Sequence, residues 1–350
     1  AFAGCKKLSD VTIGAAKVKY GAYAFTDCES LTDFYVNAAV LPEGMFYECE
    51  ALTNVTVGPD VNDIGPFAFR DTAITNFEIS DGNKAYKVQN ADYIISADGT
   101  QLVAVAPVVE GEFTSANIGG NTVTTVAKGA FSNNRKITSI VLDKVTSLGE
   151  YAFASNESLV NVVLGDLTTI GEYAYFETGI TTLPAFTTDT EIGRYAFSYT
   201  DITSVTIPDN MVIEEGVFSE CAGLTEVVIG NDVTIGNFAF NLNKDESFKV
   251  RSFDEDGERY FYYEFESPLT SLTIGNNAVI GENAFMNAAS IETITLGENA
   301  EIGYMAFYNN ANLKNIDLSK VKSIGDYAFS GDVYYVCLDD SMTVGTVGPD

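Results

Sequence analysis

One six-residue phrase constrains this chain more than any other feature. It reads LGEYAF at 148–153 and IGDYAF at 324–329, with close copies IGPFAF (64–69), IGRYAF (192–197), IGNFAF (235–240), IGENAF (280–285) and IGYMAF (302–307). Looser copies are GAYAF (21–25), LPEGMF (41–46), VAKGAF (126–131), IGEYAY (170–175) and IEEGVF (213–218), and the chain opens on Ala1-Phe2. The terminal aromatic falls at 131, 153, 175, 197, 218 and 240, steps of 21 or 22 residues. A fixed step of that size is the mark of a solenoid, in which each repeat packs only on its neighbours. Two longer steps, from Phe69 to Phe131 and from Phe240 to Phe285, mark insertions at about 80–117 and 243–267.

Each repeat carries a second signal ahead of the corner. Residues 159–175, LVNVVLGDLTTIGEYAY, begin with an LxxVxL pattern in which Val162 and Leu164 alternate as in a strand with one buried face. A short extended piece then leads into the glycine. The alanine and aromatic turn back inward, and a one-turn helical or 3₁₀ corner is expected there. The reading is a mainly β leucine-rich solenoid of about 13 repeats of about 22 residues, one domain over 1–350. Its repeat aromatics are expected to form one continuous buried stack. The copy at 180–185 is degenerate. Because the chain starts and ends inside repeats, a longer parent protein is expected.

Four cysteines, Cys5, Cys28, Cys49 and Cys221, lie three residues after the aromatic, where other repeats place Asn134, Asn156, Asn310, Thr178 or Thr200. Small residues with a hydrogen-bonding group suit a tight turn whose buried backbone groups need partners. A column of buried thiols follows, and a disulfide among Cys5, Cys28 and Cys49 stays open. Cys337 alternates outward between Val336 and Leu338.

Composition removes whole classes of function. Nineteen basic against 49 acidic residues give a net charge of −30. Such a surface repels nucleic acids and anionic membranes, whose binders need basic patches. Histidine is absent, which excludes Ser–His and Cys–His catalysis and His-ligated metals within these residues. No apolar run approaches the roughly 20 residues of a membrane span. There is no P-loop, GxSxG or CxxC, and no cofactor is expected. Asp254, Asp256 and Glu258 alternate like part of a calcium loop but lack the remaining ligand spacing. The sequons at Asn54 and Asn156 are at the level of chance.

LxxVxL followed by [IV]GxxAF, with Cys or Asn three residues later, resembles the BspA-like leucine-rich repeat family over essentially the whole chain. The stretch Tyr93-Ile94-Ile95-Ser96-Ala97-Asp98-Gly99, with Leu102 and Pro107, resembles a hairpin often interleaved in that family. The resemblance implies surface or secreted proteins of anaerobic bacteria and some protists, associated with adhesion and partner binding, not catalysis. It fixes no ligand and carries no functional residue across.

Three places are candidates for contact. The first insertion reads as a hairpin around Asp98-Gly99, either continuing the sheet or adding a contact surface. The second holds Phe248, Phe253, Tyr260, Phe261, Tyr262, Tyr263 and Phe265, either a structural hairpin or a partner-binding one. The outward positions of the LxxVxL strands, Tyr35, Thr206, Thr273 and Thr295 among them, form a broad polar face, and the concave face is the usual recognition surface of such solenoids. The expectation is an extracellular or cell-surface binding and adhesion ectodomain that takes a protein or surface partner. The alternative is a structural module that assembles with its own copies.

Overall fold

A computed structural model describes residues 1–14, 17–120, 122–242 and 267–331, together with the strands Tyr335–Cys337 and Thr343–Val344. The chain divides into two compact units. One comprises Ala1–Ile180 and Pro184–Gly193, the other Thr181–Leu183 and Arg194–Asp350. Each is a stretch of parallel β-solenoid, and no helix occurs among the described residues.

In the second unit the period is plainest. The LxxVxL segments form the long strands Ser204–Ile207, Glu226–Ile229, Ser271–Ile274 and Ile294–Leu296, parallel and in register. Asn315–Asp317 follows and pairs with Tyr335–Cys337. Two-residue strands ahead of each glycine, from Val212–Ile213 to Thr343–Val344, make a second sheet of six. Inward residues alternate with outward ones, as at Glu226–Ile229, where Val227 and Ile229 are buried. Val227 pairs directly with Leu272, although 45 residues separate them in sequence. Phe240 and Phe285 stack at 5.0 Å. The second insertion therefore interrupts the sequence without interrupting the ladder.

The first unit pairs Asp33–Val36, Asn54–Val57 and Asn76–Ile79 in one long-strand sheet, and Gly111–Thr114, Ile137–Leu142 and Asn161–Leu164 in another. Between them lies the first insertion. Its hairpin is present, Tyr93–Ser96 against Gln101–Val105, with Tyr86–Gln89 as an unforeseen third strand. The insertion is more than a hairpin. Gln101–Leu102 pairs with Thr125–Val126 in the short-strand register, and Phe113 pairs with Ile140 in the long-strand register. It thus supplies a rung of its own that lacks the Ala-Phe corner. Its sheet runs on into the seven-stranded sheet that ends at Phe186–Ile192.

The corners differ from the expected helical or 3₁₀ turn. Alternate N–H groups close turns within the rung, as Ala152 to the Gly149 carbonyl (3.3 Å) and Ala154 to Tyr151 (3.1 Å). The intervening ones donate to the next rung: Tyr151 to Glu172 (2.9 Å), Phe153 to Ala174 (2.8 Å) and Ser155 to Phe176 (2.7 Å). A helix cannot propagate when every second donor leaves it. The backbone also takes positive φ twice per corner, at Tyr151 (φ 54°), the third position of the turn that Ala152 closes, and at Ser155 (φ 58°). Such φ values are unusual for a bulky residue. Looser copies of the motif place glycine at the first of these positions, as Gly44 (φ 56°) and Gly216 (φ 65°) do. In the tighter copies the glycine comes two residues earlier for a different reason. A Cβ on Gly171 would sit 2.5 Å from the Gly149 carbonyl carbon one rung away.

The repeat aromatics from Phe25 to Phe307 are buried, whereas Phe2 is exposed and Phe329 half-buried. They do not form one uninterrupted stack. In the first unit Phe25, Phe46 and Phe69 stack at 6.1 and 6.4 Å, and Phe69 then meets Phe77. A separate run links Tyr93, Phe113, Phe131, Phe153 and Tyr175 at 4.9 to 5.4 Å. The hairpin rung, with no aromatic corner, is what divides them. In the second unit Phe197, Phe218, Phe240, Phe285, Phe307 and Phe329 stack face to face at 5.0 to 5.5 Å. Val162 and Leu164, expected on a buried face, are only half-buried, and the next rung forms no strand before Phe186.

Candidate functional site

The column three residues past the aromatic is structural. Cys28 donates its thiol to the Phe2 carbonyl (3.3 Å), Cys49 to Phe25 (3.0 Å) and Cys221 to Phe197 (3.2 Å). Asn156 and Asn310 donate their amides to the corresponding carbonyls of Phe131 (2.9 Å) and Phe285 (3.2 Å). Thr178 and Thr200 turn instead to the aromatic of their own rung. Each side chain thus supplies a donor to the carbonyl of a repeat aromatic. Cys28, Cys49 and Cys221 are buried free thiols, as the pattern predicts, whereas Cys5 is exposed in the first rung. Burial pushes the Cys49 thiol up to about 12 and the Cys221 thiol to about 11. None of these three is an activated nucleophile. Cys337 lies on a described strand, but its side chain is outside the described residues. So is the calcium-like run of Asp254, Asp256 and Glu258. Asn156 of the second sequon is fully buried.

The outward face of the long strands is placed as the alternation predicts. Tyr35 is 42% exposed and stands beside Thr56 on the adjoining strand, with Glu78 next to Thr56 on the strand beyond. In the second unit Thr206, Val228, Thr273 and Thr295 form one in-register row, and Ser204, Glu226 and Ser271 form another. Thr206 and Thr295 are exposed and Thr273 is half-buried. The two units treat this face differently. In the first, the outward groups bond one another: Asn54 donates to Asp33 (2.7 Å), Thr56 to Glu78 (3.1 Å) and Asn161 to Ser139 (2.9 Å). In the second, the hydroxyls of Ser204, Thr206, Ser271, Thr273, Thr293 and Thr295 have no hydrogen-bond partner among the described residues. The seven aromatics from Phe248 to Phe265 lie outside the described residues.

A further surface went unread in the sequence. Two residues before the repeat aromatic, Tyr23, Phe67, Tyr151, Tyr173 and Tyr195 are exposed or half-buried. The Tyr151 and Tyr173 rings stack at 4.9 Å, and Phe67 meets Tyr151 at 4.8 Å. Tyr23 lies over Gly44 and Tyr195 over Gly216, so closely that a methyl on either glycine would enter the ring. The acidic residue before each glycine completes the contact. Tyr23 donates to Glu43 (2.5 Å) and Tyr195 to Glu215 (2.8 Å), with Arg194 also paired to Glu215. The hydrogen bond to Glu43 raises the Tyr23 phenol to about 12. The signal lay in the way Tyr and Glu-Gly alternate between adjacent motif copies. Arg70 sits among these rings, its guanidinium 5.1 Å from Tyr47 and 5.7 Å from Phe67.

No group of three or more Cys, Asp or Glu side chains is gathered as for a metal ion among the described residues. No described helix is long and apolar enough to cross a membrane.

Comparison with known proteins agrees with this architecture. No curated protein matches the chain. Among solved structures, a leucine-rich repeat protein from Bacteroides ovatus is 20% identical, with a TM-score of 0.50 over 99% of this chain and 86% of that one. A leucine rich cell surface protein from Faecalibacterium prausnitzii is 18% identical, with a TM-score of 0.40 over 96% of this chain and 86% of that one. The pneumococcal vaccine antigen PcpA is 15% identical, with a TM-score of 0.41 over 94% of this chain and 65% of that one. The family model for the BspA type leucine-rich repeat region (6 copies) matches residues 1–91, 112–197, 190–299 and 255–337. That model describes a repeat region and not a catalytic domain, and with nearly the whole length matched the chain belongs to the BspA type leucine-rich repeat family.

Proposed function

We propose that this chain is a non-enzymatic binding and adhesion ectodomain that works outside the cell or at its surface and takes a protein or surface-displayed partner. The observation that carries this is the contrast between the two units. Outward groups of the first unit bond each other. Hydroxyls at equivalent positions of the second, Thr206, Thr273 and Thr295 among them, stand in register and keep their hydrogen-bonding capacity for a guest. Parallel rungs repeat at about 4.8 Å, which suits an extended partner contacting several rungs at once. Tyr35 belongs to the corresponding face of the first unit. The second insertion, with Phe248, Phe253, Tyr260, Phe261, Tyr262, Tyr263 and Phe265, is proposed as an accessory contact because clustered aromatics favour interfaces.

The test uses fluorescently labelled protein on intact bacterial and epithelial cells and on immobilised glycoproteins. Replacing Thr206, Thr273 and Thr295 together by Lys should abolish saturable binding while leaving the melting temperature unchanged. Retained binding refutes the assignment of the face. Light scattering over a concentration series tests the alternative of self-assembly: growth with concentration would favour a structural module of like copies.

A further inference from the structure

The ladder between corners fails at one place in the first unit. At an ordinary corner, N–H groups two before, at and two after the repeat aromatic donate to the next rung. Gly129, Phe131 and Asn133 donate to the carbonyls of Glu150 (2.8 Å), Ala152 (2.9 Å) and Ala154 (2.7 Å). The equivalent donors one corner earlier are Phe67, Phe69 and Asp71, and none has an acceptor among the described residues. The facing carbonyls would be those of Lys128, Ala130 and Ser132. Ala130 is taken by Val105 N–H of the hairpin (2.9 Å), and those of Lys128 and Ser132 accept nothing among the described residues. The return strand of the hairpin has replaced one rung of the ladder and left its neighbours idle on both sides.

A cavity of about 20 Å³ lies here, lined among others by Phe69, Arg70, Ala104, Val105 and Lys128. One water needs about 10–15 Å³ and two to four polar partners. Phe69 is only 7% exposed, and a backbone N–H left idle at a residue so enclosed costs free energy unless it is paired. The cations on the cavity wall are already balanced, Lys128 by Asp63 (2.9 Å) and Arg70 by Asp71 (3.5 Å). That balance favours a neutral guest over an anion. We propose that the cavity is a built site for a single resident water, which accepts from Phe69 N–H and donates back to the facing carbonyl of Lys128 or Ser132. The water restores the missing link and joins the corner at Phe69 to the corner that follows the hairpin.

Water-to-amide cross-relaxation on ¹⁵N-labelled protein tests this directly, with the Phe153 amide as internal control. A cross-peak of the sign given by a water held longer than molecular tumbling is expected at Phe69 and not at Phe153. Narrowing the cavity with Ala104→Val should remove it. Absence of the cross-peak in the unaltered protein overturns the proposal, as does its persistence in folded A104V. Crystals grown in bromide give an answer that needs no variant. Oxygen density without an anomalous signal in the cavity supports the water, and a bromide peak there overturns it in favour of a halide site.

Discussion

At the scale of single residues, stability resides in the stacked aromatics and the carbonyls they expose. Phe218 is fully buried between Phe197 (5.5 Å) and Phe240 (5.1 Å). Phe153 is equally buried, between Phe131 and Tyr175. Truncating either to Ala should cost about 3–5 kcal/mol, the range for a buried Phe. A loss below about 1 kcal/mol in urea melts would show that neighbouring rungs collapse into the space. Thiol chemistry gives a second reading of the same packing. Cys5 should react with a maleimide dye in the native protein, while Cys28, Cys49 and Cys221 should react only after unfolding. Rapid native labelling of Cys49 would mean that the corners open far more often than their hydrogen bonds imply. These positions were legible in the sequence because the 22-residue step aligned them. The backbone reversal at Tyr151 was not, because a bulky side chain gives no local sign of positive φ. Glycines at the equivalent positions of other repeats, Gly44, Gly129 and Gly216, and Asn283 hint at it.

At the scale of elements, the two insertions behave differently, and both differences can be measured. Excising residues 243–266 should preserve the circular dichroism spectrum and shift the melting temperature by less than about 4 °C, since Val227 and Leu272 already pair across the gap. Loss of cooperative melting would make that segment part of the fold. In the first insertion, the hairpin tip is pinned by Asp98, whose carboxylate accepts from the Ser96 hydroxyl, the Thr100 N–H and the Thr100 hydroxyl. These bonds, Ser96 first, hold its pKa down at about 2. A depressed carboxylate stabilises the native form above its ordinary value of 3.8 and loses that contribution as pH falls through about 2. Carbon-detected NMR should find the Asp98 midpoint near 2, and Asp98→Asn should remove that step. A midpoint near 3.8 would mean that the turn is not held by this side chain. The Asp-Gly pair announced the hairpin. Nothing local announced that Phe113 would take the place of a long-strand residue, since that depends on pairing with Ile140 across intervening chain.

At the scale of the whole molecule, the charge of −30 and the absence of histidine limit the partners more sharply than any cleft does. Self-repulsion of that size opposes association near neutrality, and it vanishes at the isoelectric point, near pH 4.1. Scattered light should therefore rise steeply as the pH is lowered to that value and fall again in low salt below it. A flat profile would show that dispersion rests on something other than net charge. The repeat identified the architecture because every rung restates it. The proposed contact face is not restated in the same way, so outward Thr206 and Thr295 look like ordinary strand residues until their neighbours are known.

The direct pairing of Ser204–Ile207, Glu226–Ile229 and Ser271–Ile274 has one more consequence. Where 45 residues separate two partners that elsewhere stand 22 apart, the ladder is indifferent to what the chain does in between. The entropy of closing such an excursion rises by only about 0.6 kcal/mol per doubling of its length. The pairing that brackets the gap after Leu242 thus sets no length on the peptide between the two rungs. Variation in length would be tolerated there for the same reason, so the chain can diversify at that point while its frame stands still.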